Sequence, residues 1–311
     1  MTSPSISGGY MIYLLEDDSF IEVDDWVKIS NRPNYIENLV VQDRKLEQII
    51  GYYELPEKVK CGLSNCHTPH FKGYVVVTDN GTETNIGHTC GTKYFDVQFD
   101  TMSSEFLNAL EVAKAKIFIS HNKKNVFEFW QKVNSLAVGP KNVNWAIDLY
   151  RKINSSEIIG TAAYRALRQM QANGNGNVTT TRPPTTKEIE LAQTAGQPAP
   201  QSVDVIVGFI TNIEFLSTDN DLVELYEYKL RGSVQKLQDA DPEKLSRTQL
   251  KTIVSGIVSL ETNINKAKKI IETARVFFTK ENLEQLVISL EDNRNISTAD
   301  VSRYKDFIGN L

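Results

Sequence analysis

Cys61-Gly-Leu-Ser-Asn-Cys66-His67-Thr-Pro-His70 and Gly87-His88-Thr-Cys90-Gly91 carry all three cysteines and three of the four histidines of a 311-residue chain. Between them, Gly73-Tyr-Val-Val-Val-Thr78 and Thr82-Glu-Thr-Asn-Ile86 flank Asp79-Asn80-Gly81. β-Branched residues on both sides of an Asn-Gly pair predict a hairpin, because that pair supplies the positive φ angles of a tight turn. The order is donor pair, hairpin, donor pair, then an expected helix from about Thr92. Zinc takes four thiolate or imidazole ligands tetrahedrally, and Cys61, Cys66 and Cys90 with one histidine make such a set. His88 lies two residues before Cys90, and on an extended strand both side chains would face the same way; this makes His88 the expected fourth ligand. His70, four residues after Cys66, is the rival, with His67 behind it. Gly62 and Gly91 would let backbone N–H groups approach the thiolates.

Over residues 58–106 this order resembles a treble-clef zinc finger, in which a knuckle and the start of a helix grip one ion. The first pair is Cys-x4-Cys and the second His-x-Cys, where the common pattern has Cys-x2-Cys. The resemblance implies one structural Zn2+ per chain, enclosed by its ligands. Buried free cysteines, a Cys–His nucleophile and an iron–sulfur cluster are the competing readings, and the clustering with histidines favours the metal. A HExxH helix and a deaminase-type His-x-Glu with Cys-x2-Cys are both absent from the sequence. Three thiolates and an imidazole would fill the shell and make a weak Lewis acid, so a structural ion is expected and an enzyme is not. A zinc hydrolase with an open site, or a cysteine nucleophile, is the enzymatic alternative.

Outward from this site, the first hundred residues read as β-rich, with an apolar run from Tyr10 to Leu15 and rough alternation from Phe20 to Ile29. Residues 35–53 fit helix or strand. From about residue 103 the pattern turns helical: Phe106, Leu110, Ala113 and Ile117 form one face. Gly139-Pro140 closes a following helix, and Trp145, Leu149 and Ile153 mark another. Residues 173–202 concentrate Gly, Pro, Thr and Asn and read as a mobile linker with a brief polar-helical patch around Lys187–Gln193. Val203–Ile210 has the composition of a buried strand that could return to the N-terminal sheet. Asp241-Pro242-Glu243 reads as a helix start. Beyond it Leu250, Ile257, Ile264, Ile271 and Phe278 recur every seven residues, with Ile253, Leu260, Ala267 and Ala274 three positions after the first four. That seam predicts coiled-coil-like packing, with Val223, Leu230 and Leu237 as the opposing row of a helical hairpin. Ser297-Thr-Ala-Asp300 has the shape of a capping box.

The expected architecture is α+β. A β-rich zinc module spans 1–100, a basic helical segment 101–172, the linker 173–202, and a strand plus helical region 203–311. The net charge of −5 argues against coating nucleic acid or an anionic membrane through bulk charge. No apolar run is long enough to span a bilayer, and the N-terminus lacks a basic region of the secretory type; a soluble, cytoplasmic protein is expected. Residues 1–40 carry seven acidic and two basic side chains, whereas 101–175 carry ten basic and five acidic. Glu16-Asp17-Asp18 and the neighbouring Glu22, Asp24 and Asp25 read as a solvated acidic surface that can also meet a basic partner. In the basic segment Lys123, Lys124, Arg165 and Arg168 interleave with aromatic residues, the pattern of phosphate contact and base stacking. The expectation for function is a non-catalytic, zinc-stabilised recognition or adaptor protein that docks a protein partner through its helical regions. A nucleic-acid-binding protein is the alternative, and the 250–278 heptad row could serve a homo-oligomer.

Overall fold

The computed structural model describes residues 11–42 and 44–311. The run that opens at Tyr10 therefore lies in part outside the described residues. The chain is mixed α and β, an N-terminal antiparallel sheet followed by many helices. It divides into two compact units between Phe118 and Ile119. No helix among the described residues is long and apolar enough to cross a membrane.

In the first unit, β1 (Met11–Glu16), β2 (Ser19–Val23), β3 (Leu46–Lys60), β4 (Pro69–Thr78) and β5 (Glu83–Ile86) form one sheet in the order β2-β1-β3-β4-β5. The two-residue turn between β1 and β2 places both Asp17 and Asp18 at positive φ, the backbone of the hairpin turn that matches strand twist. The expected 73–86 hairpin is present as β4 and β5, paired Tyr74 with Ile86 through Val77 with Glu83. Its turn differs in detail: Gly81 alone takes a positive φ, and hydrogen bonds run from Gly81 N–H to the Thr78 carbonyl and from Thr78 N–H to the Thr82 carbonyl. This is a three-residue loop with the glycine as the bulge position.

Strand periodicity sorts the core into two layers. Ile12, Leu14, Ile50, Tyr53 and Val75 face one side, where Val23, Ile29 and Trp26 pack on them. Ile49, Tyr74, Val76 and Ile86 face the other, against Phe95, Phe99, Phe106 and Leu110 of α2 (His88–Asn122). Of the predicted 106–117 face, Phe106 and Leu110 are buried and Ile117 is 63% exposed. The alternation after Phe20 ends at Val23, and a single helical turn, α1 (Val27–Ser30), replaces the rest of the expected strand.

The second unit begins with α3 (Val126–Asn134), α4 (Val143–Ile153), α5 (Ser156–Ile159) and α6 (Thr161–Asn173). Asn142 caps α4 through the N–H groups of Asn144 and Trp145, and Gly174 closes α6 in the left-handed conformation. The segment expected as a linker contains β6 (Asn177–Arg182), which that reading does not include, and α7 (Thr186–Thr194), at the polar-helical patch expected around Lys187–Gln193. β6 pairs with β7 (Val203–Phe209) as a separate two-stranded ribbon. β7 thus does not join the N-terminal sheet, and its residues alternate between half-buried and exposed positions for most of its length. The β-branched run Val178-Thr-Thr-Thr181 is strand-forming, a signal that a reading based on apolar content passes over.

A π-helix, Glu224–Arg231, leads into α8 (Gly232–Asp239), followed by α9 (Arg247–Val258), α10 (Leu260–Phe277), α11 (Lys280–Asp292) and α12 (Thr298–Gly309). Asp241-Pro242 forms a turn; the helix starts at Arg247, where Ser246 and Gln249 complete a capping box. The heptad row is divided between two helices at Ser259, and all nine seam residues are buried. α9 packs on α8, and α10 on the π-helix, so the chain's own helices cover the row. Ser297 accepts the Asp300 N–H, but the Asp300 carboxylate reaches the N–H groups of Thr161 and Ala162 and caps α6.

The Tyr226 hydroxyl is buried without a hydrogen-bond partner among the described residues. An unpaired buried hydroxyl opposes folding, so Tyr226→Phe is expected to leave stability unchanged or raise it by about 1 kcal/mol. Chemical denaturation checks this, and a loss of more than about 1 kcal/mol would mean that the hydroxyl has a partner.

Candidate metal centre

The β3–β4 connection is the segment that the sequence reading expects as the knuckle. β3 and β4 pair down to Lys60 with Pro69, which confines Cys61 through Thr68 to a short loop whose neck is closed by a hydrogen bond from Cys61 N–H to the Thr68 carbonyl. Cys90 arrives in the first turn of α2, directly after β5. The sulfurs of Cys61, Cys66 and Cys90 all lie within 4.8 Å of one another, with the Cys66 and Cys90 sulfurs 3.0 Å apart. All three cysteines are free; Cys61 and Cys90 are buried and Cys66 is half-buried. Tetrahedral zinc with Zn–S bonds of ~2.3 Å sets its sulfurs ~3.8 Å apart, within the spread seen here. The donor set fits one thiophilic ion.

Backbone donors soften the sulfur charge. The Leu63 N–H reaches Cys61 and the Thr68 N–H reaches Cys66, each two residues beyond its cysteine. Burial pushes the Cys61 and Cys90 thiols up. Burial acts on Cys66 as well, but hydrogen bonds from Cys90 and Thr68 outweigh it and lower the Cys66 pKa to about 7. One sulfur of the three is therefore poised to lose its proton near neutrality, and a cation among them would draw off the others.

The glycines beside the cysteines serve a different purpose from the one expected. Gly62 gives its N–H to the Asn85 carbonyl, and a Cβ there would sit 2.1 Å from the Thr84 hydroxyl. A Cβ on Gly91 would enter the Phe99 ring at 2.3 Å. Both positions allow close packing of the knuckle and of α2 against the sheet.

The histidines stand apart from the sulfurs. His88 is 64% exposed, with Nδ1 3.9 Å from the Asp100 carboxylate and its ring against Tyr74 and Phe99. It lies in a helix rather than a strand, where residues two apart point ~200° from one another; this turns His88 away while Cys90 faces inward. His70 has both nitrogens occupied: Nδ1 contacts the Thr68 carbonyl at 3.0 Å, and Nε2 contacts the Tyr53 hydroxyl at 2.5 Å. A carbonyl only accepts, so Nδ1 carries the proton and Nε2 accepts from Tyr53. His67 occupies the left-handed region at φ 49 within the knuckle.

Sequence reading missed the polar chain behind His70. Tyr35 donates its hydroxyl to Asn85 Oδ1 at 2.6 Å, and Asn85 Nδ2 donates to the Tyr53 hydroxyl at 3.1 Å and to the Lys60 carbonyl at 2.9 Å. Every member is satisfied, and the chain joins β5 to β3 directly behind the cysteine loop. Isolated Tyr and Asn residues carry no spacing signal, so only three-dimensional placement finds them.

Of the four basic residues read as phosphate contacts, Lys123 donates to the Ala240 carbonyl. Arg168 donates to the Leu216 carbonyl and the Asn154 side chain and lies over the Tyr164 ring. Lys124 and Arg165 are exposed. The interleaved aromatics mostly pack inward: Trp145 meets Phe278, Tyr150 meets Phe215, and Trp130 donates to Gln238.

Comparison of the chain with family models, with curated proteins and with solved structures gave no match.

Proposed function

We propose that this is a non-catalytic recognition protein whose first unit is held together by one Zn2+ on Cys61, Cys66 and Cys90. The convergence of three sulfurs from two separate segments is the observation that carries this reading. The order of knuckle, hairpin and helix start supports the treble-clef interpretation. Three thiolates donate enough charge to make zinc a poor Lewis acid, and no carboxylate joins the donor group among the described residues, so neither an activated water nor a general base is supplied. Docking of a protein partner by the helical unit is favoured by exposed Phe127, Tyr228 and Val258. Nucleic-acid binding is the weaker reading, since Lys123 and Arg168 are committed to carbonyls of the chain itself.

In this reading the fourth zinc position belongs to water, because the helical backbone directs His88 away from Cys90, and a rearrangement of that first turn that brings in His88 is the alternative. Elemental analysis of the full chain purified without chelator is expected to give one zinc per chain, lost in Cys66→Ser and kept in His70→Ala. Weakening of zinc affinity by about tenfold or more in His88→Ala would assign the fourth ligand to His88, and an unchanged affinity would assign it to water. Absence of bound metal from the wild-type chain would overturn the proposal.

A further inference from the structure

A groove of about 350 Å3 opens between the β1–β2 hairpin, β3 and α2. Leu15, Phe20, Met102 and Phe106 form its apolar lining, and Asp18 and Glu105 stand at its rim. The lining is fixed from both sides: Phe20 meets Phe106 edge-on at 5.3 Å, and Met102, Glu105 and Phe106 share one face of α2 by their three-and-four spacing. No Lys, Arg or His lines the groove. Nearby Glu16 is neutralised by Arg32 at 2.8 Å, whereas neither Asp18 nor Glu105 has an ion-pair partner among the described residues. Asp18 holds its charge at φ 60, where glycine or asparagine sits more easily.

We infer that this groove binds an extended peptide segment of a protein partner, a bulky apolar side chain entering between Phe20 and Met102 and flanking Lys or Arg side chains meeting Asp18 and Glu105. The volume takes one or two side chains, so the occupant is a short anchor rather than a packed helix. The uncompensated negative rim selects a basic peptide and repels both nucleic acid and anionic lipid. The inference rests on the recognition-module reading and identifies what the first unit recognises.

The test is selection of a random dodecapeptide library, displayed on phage, against the full chain, with the zinc content of the same preparation measured. Enriched peptides are expected to carry an aromatic or leucine residue beside Lys or Arg. A synthetic copy is expected to bind with Kd on the order of 10 μM and to shift the methyl resonance of Met102. Affinity should fall about tenfold or more in an Asp18→Lys/Glu105→Lys chain, and by a smaller factor in Asp18→Asn/Glu105→Gln. Both rim side chains are exposed; lysine is strained at the φ of 60 that Asp18 adopts, so far-ultraviolet dichroism checks that the double reversal is folded, and Asp18→Asn/Glu105→Gln, which suits that backbone, is the unstrained comparison. No enrichment, enriched peptides without basic residues, or binding indifferent to the double reversal would each overturn the inference. So would a chain lacking residues 1–10 that binds the peptides about ten times more tightly, which would assign the groove to the chain's own N-terminal segment. Peptide binding without bound zinc would fail the metal reading alone; zinc without peptide binding would fail this one alone.

Discussion

Under the proposed zinc reading, extraction of the metal with a chelator, or Cys61→Ser, is expected to unfold the first unit and to leave the second folded. The reason lies in how little else holds the metal's two segments together. α2 changes course at Asp96, whose φ of 52 and ψ of −145 break the helix, so the piece that carries Cys90 has only about two turns. Helices that short do not persist alone in water. Phe95 and Phe99 share one core with Leu63 of the loop, and a direct polar contact between helix and loop is the one between the Cys66 and Cys90 sulfurs. Structural zinc contributes on the order of 10 kcal/mol, as much as the whole net stability of an ordinary domain. Without the cation the sulfurs are joined only by weak S–H hydrogen bonds such as that between Cys66 and Cys90, which replace little of what the metal supplies. The second unit has a core of its own, reaching from Val133 to Ile308 without a buried residue from the sheet. Calorimetry should therefore show two transitions, with only one removed by the chelator, and far-ultraviolet dichroism should keep most of its helical signal. An unchanged melting profile after verified zinc loss would show that hydrophobic packing alone suffices for the sheet.

The sulfur cluster was legible in the sequence because its signal is compositional. Soft ligands crowded around an Asn-Gly turn between Cys61 and Cys90 are a density that chance rarely produces, and a hairpin delivers its two ends to one place whatever surrounds it. The orientation of His88 was not legible, because it depends on whether the residues after β5 are still extended. The helix begins at His88 itself, and a shift of a few residues in that boundary reverses which side chains share a face. The same limit applies to the heptad row. Its burial followed from the spacing, but the interruption at Ser259 did not, since Ser259 occupies a position outside the seam. In 173–202, Thr-rich β6 was hidden because its stability comes from partners distant in sequence: β7 across the ribbon and Ser289, whose hydroxyl donates to the Thr179 carbonyl.

Asn85→Leu is expected to cost the first unit about 3–5 kcal/mol, more than any change at an exposed position of the sheet. Asn85 is 2% exposed and satisfies three groups at once: the Tyr35 hydroxyl, the Tyr53 hydroxyl and the Lys60 carbonyl. Leucine keeps the branching and the number of side-chain heavy atoms, so the substitution leaves no cavity and the loss is not one of packed volume. It leaves the Lys60 carbonyl, at the mouth of the cysteine loop, without the amide that it accepts from. For a unit of this size the midpoint should fall by ~15–25 °C, while Tyr35→Phe, which removes one partner at the end of the chain, should cost only about 1 kcal/mol. The same network makes a prediction about pH. Burial, opposed by the contact with the Thr68 carbonyl, lowers the pKa of His70 below its ordinary value. The unfolded chain therefore takes up the His70 proton first as pH falls. The stability contributed by neutral His70 is present above the ordinary histidine pKa and is lost as pH falls through the folded value. Protonation also ends Nε2's role as acceptor, and with it the bond from Tyr53 that closes the chain. Stability measured from about pH 7 to pH 5 should decline in the wild type and decline less in His70→Gln, whose amide cannot titrate. Equal slopes in the two proteins would remove His70 as the source of the acid sensitivity.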